Sequence, residues 1–321
     1  MSEPNMNAYA VWVAVSVAIG LIAFGMDAKR RGIRNAGWVM IPAVVLGLIG
    51  ARLLYVGVRI RWFTEIGFQN LIWPVDEYHN YWGDGQGFGL WGAVGGVILA
   101  VWIVCRWKKA STAEMLDTMA PWAALTIALC RFGEFWIGEG VGPFVEEEAF
   151  CFFPLAIMDE WGGGRYAVFL LEGLLGLILF VVLMTRGQRY DGGNRARLFL
   201  ILYSAMQIVP ESLRQDNCLM WQFMKVSQLI GVLVMAGLMI AALIRWKRSG
   251  QEPERKTEMI LCCVIFLLCV GGCVALEFAK DKSATLPLWA CYAMEAVCSV
   301  IMGITAARVV LPRVAGGAKN A

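Results

Sequence analysis

The chain has a single histidine, His79, and no Cys-x-x-Cys pair in its 321 residues. Those absences argue against a zinc or iron–sulfur centre and against serine–histidine or cysteine–histidine catalysis. His79 sits among Tyr78, Asn80 and Tyr81 and reads as a surface residue of a loop. Charge is also scarce. Asp, Glu, Lys and Arg make up 17% of the chain, against about 25% in soluble globular proteins. The net charge of +3 is small, and the basic residues lie in loops rather than on one stripe, which excludes nucleic acid as a partner. The first ten residues carry Glu3 and no Lys or Arg, so the positive region that opens a secretory signal is missing. The glycine-rich segment Gly85 to Gly96 lacks the Gly-Lys-Ser/Thr ending of a phosphate-binding P-loop.

What is present is apolar: 59% of the residues are hydrophobic, in runs long enough to span a bilayer. The composition predicts an all-α polytopic membrane protein. Nine spans are expected, at about 9–27, 37–58, 88–108, 117–137, 165–184, 197–213, 225–245, 258–279 and 287–308. Nineteen Lys and Arg fall in the loops of one side and seven in those of the other. The positive-inside rule then places the N-terminus outside and the C-terminus in the cytoplasm. Eight of the ten cysteines lie in or beside apolar runs and read as packing residues. Cys151 and Cys218 lie in outer loops and would be able to pair if they face each other. The polar linker 247–257 separates a core, residues 1–246, from an additional hairpin and tail, residues 258–321. That hairpin holds Glu277 and Glu295. With no cation inside its last span, it reads as an appendage.

Three constellations carry chemistry. Arg131 ends an apolar run in Cys130-Arg131-Phe132-Gly133-Glu134. A guanidinium at membrane depth costs at least ~3 kcal/mol, so it is kept to pair or to hold an anion. Glu134 is one helical turn on, which leaves an ion pair and a lipid-phosphate site both open. Arg52 lies in Gly50-Ala51-Arg52-Leu53 at similar depth, and its plain reading is snorkelling to the interface. Gln207, Glu211 and Arg214 share one helical face, with Pro210 expected to kink the helix. Gly92 and Gly96 make a small-xxx-small pair for close helix packing, with Trp91 beside them.

Cys130-Arg131-Phe132-Gly133-Glu134-Phe135-Trp136-Ile137-Gly138-Glu139-Gly140-Val141-Gly142 resembles the signature of the prolipoprotein diacylglyceryl transferase family, roughly Gly-Arg-x-Gly-Asn-Phe-x-Asn-Gly-Glu-x-x-Gly. Gly50 to Val56, the glycines 87–96, the segment Leu202 to Arg214 and Ser227-Gln228 resemble further family segments in the same order. The likeness runs over about residues 7–246. It departs at Trp91, where the family has His or Tyr, at Glu134 for Asn and at Gln207 for Arg. Phe153 stands where the family has the histidine of a His-Pro pair.

The resemblance implies a seven-span core. It also implies transfer of a diacylglyceryl group from phosphatidylglycerol to the lipobox cysteine of a prolipoprotein, at the outer leaflet of a bacterial plasma membrane and without a cofactor or metal. The signal peptide of the precursor would be the protein partner. Carried over by position, Arg131, Glu134 and Glu211 are the catalytic candidates. Arg52, Trp91, Glu139, Gly142, Gln207 and Arg214 are the candidates for binding lipid or phosphate. Two other readings stay open: a catalytically inactive lipid- or lipoprotein-binding protein on the same fold, and a transporter or flippase.

Overall fold

The computed structural model describes residues 5–66, 87–158, 162–216, 218–222, 224–248, 256–282 and 287–312. His79, Gly83, Gly85 and most of the polar linker lie outside them.

The apolar runs fold into helices: α1 Met6–Arg30, α2 Gly37–Val58, the short α3 Ile60–Ile66, α4 Leu90–Lys108 and α5 Thr112–Gly133. After a folded loop come α6 Val168–Thr185, α7 Asn194–Met206, α8 Ile208–Leu213, α9 Val226–Arg248, α10 Lys256–Lys282 and α11 Leu288–Val310. Among the described residues seven helices are long and apolar enough to cross a membrane: α1, α2, α4, α6, α9, α10 and α11. Ile41, Leu267 and Leu268 point outward, giving these helices the apolar exterior of a multi-pass membrane protein.

The other two expected spans are more polar. α5 has a spanning length but carries Glu114, Asp117 and Arg131. The sixth expected span is broken: α7 stops at Met206, Gln207 forms the joint, and α8 adds six residues. Pro210 sits in the first turn of α8, where its missing N–H leaves no hole in the helix ladder. The expected kink is thus a full break.

Small residues set the closest packing. α2 and α4 touch backbone to backbone: a Cβ on Gly92 would strike the Gly50 carbonyl, and one on Gly96 the Leu46 carbonyl. In lipid, such close approach replaces the hydrophobic drive that packs soluble helices.

The segment between α5 and α6 is folded. β1 Ala156–Met158 pairs antiparallel with β2 Gly164–Tyr166 in the register Ile157↔Arg165. Val141, Ile157, Ala167 and Phe169 make a small core of their own beneath the hairpin. A second hairpin, β3 Met220–Trp221 with β4 Met224–Lys225, leads into α9. Cys151 and Cys218 are both free. Cys151 Sγ lies 3.5 Å from Met158 Sδ and Cys218 Sγ 3.3 Å from Asp216 Oδ1, so the pairing that the sequence left open is not made.

The C-terminal hairpin is packed into the body. α11 contacts α7, α8 and α9, and Met302 and Ala306 join Tyr203, Ile208 and Met235 in one buried cluster. Glu295 is not a lone acid either. Lys280 of α10 reaches its Oε2 at 2.7 Å. The sequence reading missed this cation because it comes from the preceding helix.

Candidate functional site

The ends of α5 and α8, the start of α6 and the loop after Arg214 bring charges together near the end of the bundle where α1 begins. Arg131 comes from the last turn of α5. The helix ends at Gly133, and Glu134 opens a 3-10 turn, which swings its carboxylate back onto Arg131. Arg131 Nη1 bonds Glu134 Oε1 at 2.5 Å and Nε stands 3.3 Å from Glu172 Oε2. Arg214 follows α8 and completes the cluster: its Nη1 lies 3.3 Å from Glu172 Oε2 and 3.6 Å from Glu134 Oε2, and its Nη2 lies 2.5 Å from Asp216 Oδ2. Two guanidinium groups thus bridge three carboxylates, and each of these side chains is at least nine-tenths buried except Arg131, at 12% exposure.

Acid is in excess. Glu172 Oε1 and Glu134 Oε2 are buried and accept no hydrogen bond. The crevice lined by Arg131, Glu172, Tyr203, Gln207 and Pro210 has a volume of about 10 Å³, room for no more than one water. The site is therefore closed on its own ion pairs.

Asp216 lies outside the spanning segments. Burial alone would raise its pKa, but the bonds and charge of Arg214 and the Gly140 N–H hold it well below the usual carboxylate range. Gly140 donates to Asp216 Oδ2 at 2.9 Å from a backbone at φ +70°, a conformation that favours glycine, and a Cβ there would strike the Glu134 carboxylate. Burial pushes the neighbouring Cys218 thiol up to about 12.

The remaining candidates divide. Trp91 and Gln207, two of the positions that depart from the family pattern, meet each other: Trp91 Nε1 donates to Gln207 Oε1 at 3.1 Å. The Trp91 ring packs 5.5 Å from that of Tyr203, which lines the crevice. Glu211 is buried, and its carbonyl accepts from the Lys225 ammonium. Gly142 pairs its N–H with the Tyr166 carbonyl at 2.8 Å and its carbonyl with Arg165 Nε at 3.1 Å. Glu139 stands half-buried on the loop leading to it. Arg52 does not snorkel. It is 8% exposed, donates to the Gly87 carbonyl at 3.0 Å and lies over the Tyr55 and Phe63 rings.

Sequence reasoning missed Glu172 and Asp216. Glu172 carries the same signal that drew attention to Arg131, a lone charge in an apolar run, Leu170-Leu171-Glu172-Gly173-Leu174.

A multi-span helical bundle with paired arginines closing on buried carboxylates at one end is a multi-pass membrane protein with a desolvated charge cluster among its helices. The comparisons narrow that class. A profile of prolipoprotein diacylglyceryl transferase matches residues 2–244, so the chain belongs to that family. The phosphatidylglycerol–prolipoprotein diacylglyceryl transferase of Prochlorococcus marinus (strain MIT 9303) is 27% identical over 277 residues, covering 77% of this chain and 90% of its own. The enzyme of the same name from Streptococcus suis (strain 05ZYH33) is 27% identical, covering 75% of this chain and 89% of its own. That of Clostridium novyi (strain NT) is 26% identical, covering 71% and 89%. The profile stops short of α10 and α11.

Proposed function

We propose that the protein transfers a diacylglyceryl group from phosphatidylglycerol to the thiol of a prolipoprotein's lipobox cysteine. The carbon–sulfur bond forms as the bond from glycerol carbon to phosphate oxygen breaks, and glycerol phosphate leaves. The convergence of Arg131 and Arg214 on one buried cluster is the observation that carries this reading. Two guanidinium groups in a dry site would offset the charge growing on the departing phosphate far better than in water.

The pairing of Arg131 with Glu134 suggests how a closed site would open. As the base, Glu134 takes the thiol proton. Once neutral it no longer balances Arg131, and the guanidinium is released to the phosphate as that phosphate gains charge. Proton uptake and counter-ion exchange are then one event. Glu172 holds both arginines at one atom, Oε2, and so fixes their spacing. Glu211, buried on α8, is the second carboxylate assigned to the reaction. Gln207 walls the crevice beside Tyr203, with Trp91 packed behind both, and Arg52, Glu139 and Gly142 belong to the approach of lipid and peptide.

The chain is oriented with its N-terminus outside a bacterial plasma membrane, following the basic asymmetry of its loops. Labelling of single cysteines placed in 139–147 should succeed from outside intact spheroplasts. Labelling only after permeabilisation would reverse the orientation.

The test of function is complementation of a cell depleted of its own transferase, with precursor lipidation read as a mass shift. A second reading, binding of lipid or lipoprotein without turnover, draws on the neutral Trp91–Gln207 pair at positions where the family carries more basic groups. Retention of phosphatidylglycerol with no mass shift would select it.

A further inference from the structure

The six-residue α8 carries Glu211 and delivers Arg214, yet it has few anchors of its own. Three side chains from outside hold it. Lys225 donates to the carbonyls of Glu211 and Arg214, the latter at 2.7 Å, and Gln228 Nε2 donates to the Ile208 carbonyl at 2.9 Å. The third anchor comes from the C-terminal hairpin. The Lys280 ammonium donates to the Ser212 hydroxyl, and that hydroxyl donates to Glu277. Lys280 is in turn fixed by Glu295 at 2.7 Å and Glu277 at 3.4 Å, and it lies 4.5 Å over the Tyr292 ring. Gln228 closes the circuit, with its amide 3.4 Å from Glu277. Glu295 is fully buried and Lys280 nearly so, while Glu277 keeps 41% of its side chain exposed, and the network joins α8, α9, α10 and α11. Ser212 sits two residues before Arg214.

From this geometry we infer that the C-terminal hairpin is a positioning element of the site: Lys280, seated on Glu295, holds Ser212 so that Arg214 stays set against Glu134 and Glu172. The inference rests on the transfer reading above. It assigns a role to helices that lie beyond the family match. The chemistry of the network fits positioning better than simple adhesion. Apolar contacts alone would bury α11 against α7 and α9, and ionic groups in lipid add directional constraint at a cost in stability. A displacement of about 1 Å at a reacting group is enough to lower a rate up to a hundredfold.

The test uses the full chain, purified and reconstituted with phosphatidylglycerol and a synthetic lipobox peptide. Ser212→Ala cuts the link to α8. Lys280→Met with Glu295→Leu removes the buried pair together and leaves Glu277, whose side chain is 41% exposed, on its bonds to Ser212 and Gln228, so folding is protected. Both should lower kcat about tenfold or more while KM for the peptide changes little and the melting temperature holds. Lys280→Arg should restore the rate. Backbone amides of 208–216 should exchange faster in the two disabling variants. Folded variants with wild-type kcat and unchanged exchange would overturn the inference. So would a loss of kcat that tracks melting temperature in all three variants. If the unaltered protein transfers nothing, the transfer reading fails by itself. In that case faster exchange across 208–216 still upholds the positioning, and unchanged exchange overturns it.

Discussion

Two buried charged clusters sit near opposite ends of the bundle, and they are finished differently. At the end away from Arg131, Asp117 of α5 accepts from the backbone N–H of Gly193 at 2.7 Å and of Ala196 at 2.8 Å. Arg195 sits beside it at 1% exposure and donates twice to the Leu183 carbonyl, at 3.0 and 2.8 Å. Asp117 thereby caps the start of α7, and Arg195 caps the end of α6. Both Asp117 oxygens are used, and the partners are main chain. In the Arg131 cluster both arginines pair with side-chain carboxylates, the Gly140 N–H on Asp216 being a main-chain partner, and two carboxylate oxygens lack hydrogen bonds. Main-chain partners cannot leave, so the first cluster only holds helices. Side-chain partners can exchange, which is what the proposed transfer requires of the second.

The sharpest test is Arg131→Ala. It leaves Glu134 without its nearest cation, and breaking a buried pair costs about 3–5 kcal/mol. The double change Arg131→Ala with Glu134→Ala should recover most of that stability, read by thermal melting, but neither lipid transfer nor phosphatidylglycerol retention. A double variant with full transfer would defeat the role given to Arg131.

Asp117→Asn should be next. An amide offers one acceptor oxygen where the carboxylate offers two, so one buried N–H of Gly193 or Ala196 loses its partner. The expected loss is about 1–3 kcal/mol, with transfer per folded molecule unchanged. Glu172→Gln makes the matching exchange at the other end. The amide oxygen can keep the place of Oε2 between the two arginines, Oε1 has no bond to lose, and the cluster holds acid in excess, so melting should shift little. Retention of anionic lipid should rise, because one carboxylate charge facing the phosphate is gone. Equal behaviour of the two variants would erase the distinction between the clusters.

The smallest effect is one of pH. Asp216 is held below the usual carboxylate range by Arg214, against the pull of burial. Its contribution is therefore complete above the unfolded pKa of about 3.9, and fades as pH falls through the lower folded value. Melting between pH 6 and 3 should drop more steeply for the wild type than for Asp216→Asn.

How far the sequence foretold this depends on where each partner comes from. Arg131 and Glu134 were legible because they are three residues apart on one turn. The Gly92 and Gly96 packing was legible because it needs only small residues at one spacing. Glu172 meets Arg214 across 42 positions, and Asp117 meets Gly193 across 76. Spacing says nothing about such pairs until the helices are arranged. The break in the sixth expected span was half legible. Pro210 marked the place, but the separation of α8 follows from anchors on α9 and α10 that lie far along the chain.

That last arrangement bears on how the protein is made. The residues that steady Ser212 follow it by 65 and 68 positions, and Glu295, which seats Lys280, comes later still. A ribosome delivering helices in order therefore inserts both arginines of the Arg131 cluster, and the Lys225 and Gln228 anchors of α8, well before the third anchor. Until α11 enters the bilayer the nascent protein lacks that third anchor, so with the hairpin as a positioning element, maturation of activity should lag membrane insertion of the core by the time needed to synthesise the hairpin.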